Sequence, residues 1–245
     1  MKKTILSILD KLKNNGYVIL KSSEIEFLKK VKKDYFKIAK KNGFDGSLNS
    51  ISKISEKKLN QLQIDFNKNS QESNFNLINS FAKKLKIVLG NKIFIQRQPY
   101  LRVKKYNLKS TATIAHNDYD FGHSHRGFNL WAPLFDIKYN EGIYIYDLVT
   151  SKKIYKNFRF DCHLSEHIKK NKFDKKKNYI NLKFGEAIFF SNLCIHGASV
   201  SKKRINRVST NIHVQNFVEP INEKSTELFT IAKFDKNYLY TQIGI

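Results

Sequence analysis

The chain has 245 residues, 41% of them hydrophobic and 13% aromatic, enough apolar material for a substantial core and against global disorder. Lys and Arg number 45 against 21 Asp and Glu, and the formal charge of +24 favours anionic partners: phosphorylated metabolites, nucleotide-linked sugars, acidic polymers or nucleic acid. Two cysteines, Cys162 and Cys194, are too few for a disulfide framework or a cysteine metal cluster, so a reducing, cytoplasmic compartment is expected.

Lysine and asparagine are abundant along the whole chain and prolines number only three, so a codon bias toward A and T accounts for part of the charge. Lys2-Lys3 and the apolar Thr4–Leu9 sketch a secretion signal, but Asp10, Lys11 and Lys13 interrupt it and no small-residue cleavage site follows. No stretch approaches the roughly 20 apolar residues that span a bilayer.

Residues 3–14 read as a short amphipathic helix with Ile5, Leu9 and Leu12 at helical spacing, ended by Gly16. Tyr17-Val18-Ile19-Leu20 reads as a buried strand. Ser23-x-x-Glu26 is a capping box opening a second helix, in which Ile25, Leu28, Val31, Tyr35 and Ile38 recur every three or four residues. Residues 43–70 are polar and weakly patterned, as expected of a loop plus a short helix. Another helix is expected near 72–88, ending at Gly90.

From about residue 93 to about 218 the pattern is of strands. The main candidates are Ile93–Tyr106, Gly127–Phe135, Ile143–Leu148, Ile154–Phe160, Tyr179–Leu182, Ala187–Ser191 and Arg207–Val218. The lysine-rich stretch 169–177 reads as a solvated loop or helix end. Strands preceded by helices predict a mainly β fold, a jelly roll backed by N-terminal α-helices. We expect one domain over 1–245: a helical part (about 1–90), a β-barrel core (about 93–218) and a C-terminal extension (219–245).

His116-Asn117-Asp118 is an H-x-D triplet at the end of a predicted strand, where residues i and i+2 share a face and can reach one metal. His196, before Gly197, is the best third ligand. Two imidazoles and one carboxylate make the facial triad of non-haem iron(II) oxygenases, which leaves sites open for a 2-oxo acid and O₂. An H-x-D triplet alone is common, and a lone histidine before glycine fits an ordinary turn. The combination gains weight from Arg207, eleven residues after His196, with Ser209 facing the same way. A guanidinium fork plus a hydroxyl suits the distal carboxylate of 2-oxoglutarate.

The last strand alternates polar Arg207, Ser209, Asn211, His213 and Gln215 with Val208, Thr210, Ile212 and Val214. If Arg207 binds the co-substrate, the polar face lines the barrel and the apolar face packs on the helices. Asn129 and Trp131 share one face of an earlier strand in the same manner, opposite Phe128, Leu130 and Leu134.

His116-x-Asp118, Asn129-x-Trp131-x-Pro133-Leu134, Gly185-Glu186-Ala-Ile-Phe-Phe-Ser191, His196-Gly197 and Arg207-x-Ser209 together resemble the phytanoyl-CoA-hydroxylase-like dioxygenases. Within them the set looks most like the 2-oxoglutarate/iron(II) oxygenases of sporadic bacterial carbohydrate-biosynthesis clusters. The resemblance covers roughly residues 93–218. It implies a cupin-like double-stranded β-helix, iron(II), 2-oxoglutarate and O₂, and hydroxylation with release of succinate and CO₂. It also implies that Trp131 borders the co-substrate, with Gln98 and Arg102 as candidates for its other end. Ala198 stands where many relatives carry serine, with Ser199 next to it.

His123 and His125 could contact substrate, and His163 and His167 are spaced i, i+4. Tyr100, Tyr106, Tyr119 and Tyr139 read as core or rim. Two other functions compete. A nucleic-acid demethylase would fit the charge, and Arg204-x-Asn206 begins its R-x-N-x-T-x-R pattern, but Val208 and Thr210 stand where threonine and arginine are needed. A non-catalytic jelly-roll sugar-binding protein would not need the complete triad with Arg207.

Overall fold

The computed structural model describes residues 2–106, 108–138, 141–158, 162–198, 205–220, 229–235 and 238–241. The first part of the chain is helical around one strand: α1 (Lys2–Asn15), β1 (Tyr17–Lys21), α2 (Ile25–Lys41), α3 (Leu48–Ile51), α4 (Glu56–Asn69), α5 (Gln71–Asn79) and α6 (Ala82–Leu89). Strands follow: β2 (Lys92–Gln96), β3 (Tyr100–Lys104), β4 (Thr113–His116), β5 (Phe128–Pro133) and β6 (Ile143–Ile145). Two helices, α7 (Leu148–Lys156) and α8 (Leu164–Lys170), come before β7 (Asn178–Ile180), β8 (Glu186–Ser191), β9 (His196–Ala198) and β10 (Arg207–Asn216). The chain then adds β11 (Phe229–Asp235) and β12 (Tyr238–Thr241).

The strands form two antiparallel sheets. The larger runs β1-β8-β5-β10-β2-β11-β12, with β3 paired to β10 beyond the end of β2; the smaller runs β4-β9-β6-β7. Helices cover more residues than strands, but the two sheets make the jelly roll. Side-chain alternation divides β5 and β8 of the larger sheet between two cores. Leu130, Ala132, Ala187, Phe189, Val208, Ile212 and Val214 pack outward against Leu28, Val31, Leu59, Leu62 and Phe66 of the helices. Trp131, Ile188 and Phe190 point inward to meet Ile143, Ile145 and Ile180 of the smaller sheet. Each fully buried Val, Leu, Ile or Phe among them contributes about 1.5–3 kcal/mol of apolar transfer.

Several expectations are corrected. The stretch 43–70 holds the 14-residue α4, capped by Ser55 Oγ, which accepts from Lys58 N, with Leu59, Leu62 and Phe66 buried. Three buried positions in a polar background suffice because the helix has only one face to cover. The helix expected over 72–88 is two, broken at Ser80 and Phe81. Ser23 does not cap α2: Glu24 takes that position without a side-chain cap bond, and Ser23 Oγ donates to Ser80 O instead. In α1, among the residues whose burial is described, Ile8 is buried, whereas Leu9 is exposed.

Ile93–Tyr106 is interrupted at Arg97-Gln98-Pro99, where proline cannot donate to the ladder. The strand expected over Ile154–Phe160 is instead the end of α7, started by Asp147, whose carboxylate accepts from Thr150 N and Oγ1; residues 159–160 lie outside the described set. Part of the stretch treated as a C-terminal extension is sheet: β11 pairs with β2 from Phe229↔Gln96 to Lys233↔Lys92. Among the described residues no helix is long and apolar enough to cross a membrane.

Candidate metal centre

His116 ends β4 and His196 begins β9, and the two are direct cross-strand partners. Their rings lie 4.3 Å apart, centroid to centroid. Asp118 arrives differently from the i, i+2 alternation expected of a strand. β4 ends at His116, and Asp118 is α-helical (φ −74°, ψ −20°) at the start of a 3₁₀ turn, Tyr119–Phe121. Asn192 holds that turn, its carbonyl accepting from Asp118 N at 3.0 Å and from Tyr119 N at 3.3 Å. The result puts Asp118 Oδ1 3.8 Å from His116 Nε2 and 3.7 Å from His196 Nε2.

The three ligand atoms lie within 4.8 Å of one another and can hold one metal ion; they form the one such cluster found among the described residues. His116 and His196 would hold the ion through Nε2 and Asp118 through Oδ1. Both histidines are already oriented. His116 Nδ1 faces Ile114 O at 2.8 Å and His196 Nδ1 faces Cys194 O at 3.0 Å. A carbonyl only accepts, so each Nδ1 carries the proton and each Nε2 offers its lone pair. Burial, then the neighbouring His196, brings His116 down to about 4, which keeps it neutral near pH 7. Burial alone would raise Asp118, but the facing His196, His213 and His116 and the Asn129 hydrogen bond outweigh it and hold the carboxyl at about 2.

No protein-family model and no curated protein matches the chain, but solved structures do. The non-heme alpha ketoglutarate dependent epimerase SnoN from nogalamycin biosynthesis aligns over 96% of this chain and 87% of its own, at 11% identity and a TM-score of 0.56. EctD from S. alaskensis aligns over 91% and 79%, at 12% identity and a TM-score of 0.62. The alpha ketoglutarate dependent carbocyclase SnoK aligns over 91% and 88%, at 13% identity and a TM-score of 0.57. The chain has the fold of these non-heme enzymes. That fold is the double-stranded β-helix, with the three candidate ligands inside it.

Arg102, Asn129, Trp131, Arg207 and Asn211 line the same pocket as the three candidate ligands. The pocket offers about 50 Å³ and shares Arg102, Thr113 and Arg207 with an adjoining cleft of about 480 Å³. A ligand of metabolite size would therefore extend from the triad into the cleft. Arg207 is buried; its Nη1 donates to Gly142 O at 2.6 Å and Glu141 O at 3.3 Å, and its guanidinium lies 5.2 Å from the Trp131 ring centroid. Its Nε is buried without a hydrogen-bond partner. Burial, then the nearby Arg102, brings it down to about 10, so it stays cationic.

Around it, Lys104 and Glu141 form a buried ion pair at 2.9 Å, and among the described residues neither Arg102 nor Arg207 is in an ion pair, so the two guanidiniums outnumber the one carboxylate of the pocket, Asp118. That excess positive charge and the unpaired Nε–H fit a carboxylate ligand. Gly197 completes the wall: a Cβ there would stand 2.4 Å from Tyr144 Oη.

Two expected co-substrate residues are placed otherwise. Gln98 is exposed in the break between β2 and β3, so Pro99 separates it from the face that Arg102 occupies. Ser209 is fully buried, but its hydroxyl donates to Arg102 O at 3.4 Å and it does not line the pocket. His123 stacks on His213 with centroids 3.6 Å apart, and His125 accepts from Arg126 Nε. His163 is an exposed helix cap and His167 a buried ring bonded to Asn171, and neither belongs to a cluster of three or more metal-ligating residues among the described residues. Tyr100 lies under Arg102, and Tyr119 is exposed. Tyr139, Ser199 and Arg204 lie outside the described residues. Asn192 and the Lys104–Glu141 pair went unrecognised in the sequence. The pair had one signal, a lysine two residues after Arg102 on the same strand face.

Proposed function

We propose that the chain is an iron(II)- and 2-oxoglutarate-dependent oxygenase that hydroxylates a small, anionic, carbohydrate-related metabolite, consuming O₂ and releasing succinate and CO₂. One observation carries this: two pre-oriented imidazoles and one carboxylate oxygen converge in the same pocket as a buried guanidinium with an unpaired N–H. When bound, iron(II) and 2-oxoglutarate supply oxidation of a substrate C–H bond coupled to decarboxylation of the oxo acid.

The chain's own residues do the rest. His116, Asp118 and His196 hold the ion from one side. Arg207 takes the distal carboxylate, held in place by the Gly142 and Glu141 carbonyls, with Trp131 as the wall. Arg102, at the junction with the larger cleft, is the residue left to meet a second anionic group.

The substrate class has three supports. The motif set resembles oxygenases of carbohydrate clusters. Asn211, which lines the pocket, offers a neutral amide for hydroxyls. Lysine-rich α7 and α8 flank the site: α8 packs on β4, and Tyr155 of α7 bonds to Asp120, two residues from Asp118. Metal-free protein loaded with iron(II) and given 2-oxoglutarate and O₂ should release succinate with one or more of a panel of sugar nucleotides, lipid-linked sugars and sugar phosphates. Amino acids serve as the comparison set. Failure to retain iron(II), or no succinate with any candidate, would overturn this assignment.

A further inference from the structure

Asp118 is held at Oδ2 and at its backbone N–H by one closed ring of polar contacts. Oδ1 faces the two ligand histidines. Oδ2 is turned away and accepts from Asn129 Nδ2 at 3.1 Å. The same amide nitrogen is 3.5 Å from His213 Nε2, to which it can donate its second hydrogen. His213 Nδ1 then faces Asn192 Oδ1 at 3.4 Å, and Asn192 O accepts from Asp118 N at 3.0 Å. Asn129 and His213 are cross-strand partners on β5 and β10, both on the face that points into the barrel.

The amide orientation is fixed by its surroundings. Reversing Asn129 would set its carbonyl against the Asp118 carboxylate and lose both contacts. His213 has little freedom either, stacked on His123 within 14° of parallel.

Resting on the proposed metal site, we propose that Asn129 and His213 are positioning residues that restrict Asp118 to presenting one oxygen to the metal. Without them nothing restrains Oδ2, and the carboxylate can swing to occupy two coordination positions, one of which the 2-oxo acid requires. Partners that orient a metal-bound carboxylate typically change metal affinity 10–100-fold when removed.

The experiment titrates Co(II) into metal-free full-length protein, following visible absorption, which reports coordination number, and then adds 2-oxoglutarate. Asn129→Leu, close in size but without a donor, should bind Co(II) at least about tenfold more weakly or with an altered spectrum, and should respond less to 2-oxoglutarate. His213→Phe keeps the stack and loses the acceptor for Asn129; His213→Asn keeps a donor toward Asn192. Phe should show the Co(II) defect more strongly than Asn, a difference that fold stability measured on the metal-free forms does not account for.

Wild-type affinity and spectrum in Asn129→Leu would overturn the proposal. If that variant does not fold, equal Co(II) binding by the two His213 variants would overturn it. His116→Ala separates the underlying assignment: wild-type protein that binds Co(II) no better than this variant has no metal site, and the positioning role falls with it.

Discussion

His116 and His196 face each other across the β4–β9 ladder, and each is anchored through Nδ1 to the carbonyl two residues before it. The anchors are backbone groups, so removing one imidazole leaves the strand pairing and the partner ring in place. His196→Ala should therefore fold and lose the metal. Thermal unfolding with and without Co(II) checks this. A ligand at 100 times its dissociation constant stabilises by about 2.7 kcal/mol, and that gain should vanish in the variant. A preserved metal-induced shift would show that another set of residues binds the ion.

Arg207 makes its two structural bonds through Nη1, to Gly142 and Glu141, and keeps Nε unpaired beside the pocket. Lysine can replace the charge but not a planar fork that bonds the wall and the ligand together. Arg207→Lys should raise KM for 2-oxoglutarate at least about tenfold, the loss of one charge-assisted hydrogen bond of about 1.5–3 kcal/mol. Steady-state succinate release against 2-oxoglutarate concentration measures it. An unchanged KM would move the role to Arg102.

Two histidines, His213 buried and His116 partly exposed, should make the metal-free protein acid-sensitive. Burial pulls His213 down to about 3 and His116 to about 4, against an ordinary imidazole value near 6.5. Between those values the unfolded chain binds more protons than the folded one, so stability rises with pH and is lost on acidification from about 6.5 toward 4. Asp118, held at about 2, adds its loss only below the ordinary carboxylate value near 3.8, a separate and lower window. Urea unfolding at pH 7, 6 and 5 should show the decline. His213→Asn removes one titrating group and should flatten it by up to about 1.4 kcal/mol per pH unit. An identical slope would assign the acid sensitivity elsewhere.

The alternation of β10 was legible because a strand buried on both faces still sorts its residues. Val208, Ile212 and Val214 reach the helices while Arg207, Asn211 and His213 reach the barrel. The triad was legible through spacing, although the geometry that delivers Asp118 was not: it depends on Asn192, 74 positions away in sequence, holding a turn. Gln98 misled because one proline breaks what reads as a continuous strand. α4 was hidden by its polar surface, and β11 by the absence of a local sign that it would find β2. Long-range pairing of this kind leaves little trace in neighbouring residues.

The charge on the molecule sets up the last test. Lys152, Lys153 and Lys156 of α7 and Lys169 and Lys170 of α8 are exposed, on helices that flank the β4 edge of the site. Arg207, by contrast, is buried and walled by Trp131. Ionic screening acts over about 8–10 Å at physiological salt and mainly between exposed charges. If the substrate carries a phosphate read by the exposed lysines, raising salt from 0.05 to about 0.5 M should weaken substrate binding severalfold while KM for 2-oxoglutarate barely moves. Replacing Lys153 and Lys156 together with glutamine should remove most of that salt dependence. A neutral sugar turned over as well as any phosphorylated candidate, with no response to salt, would mean that the positive charge reflects composition and not recognition.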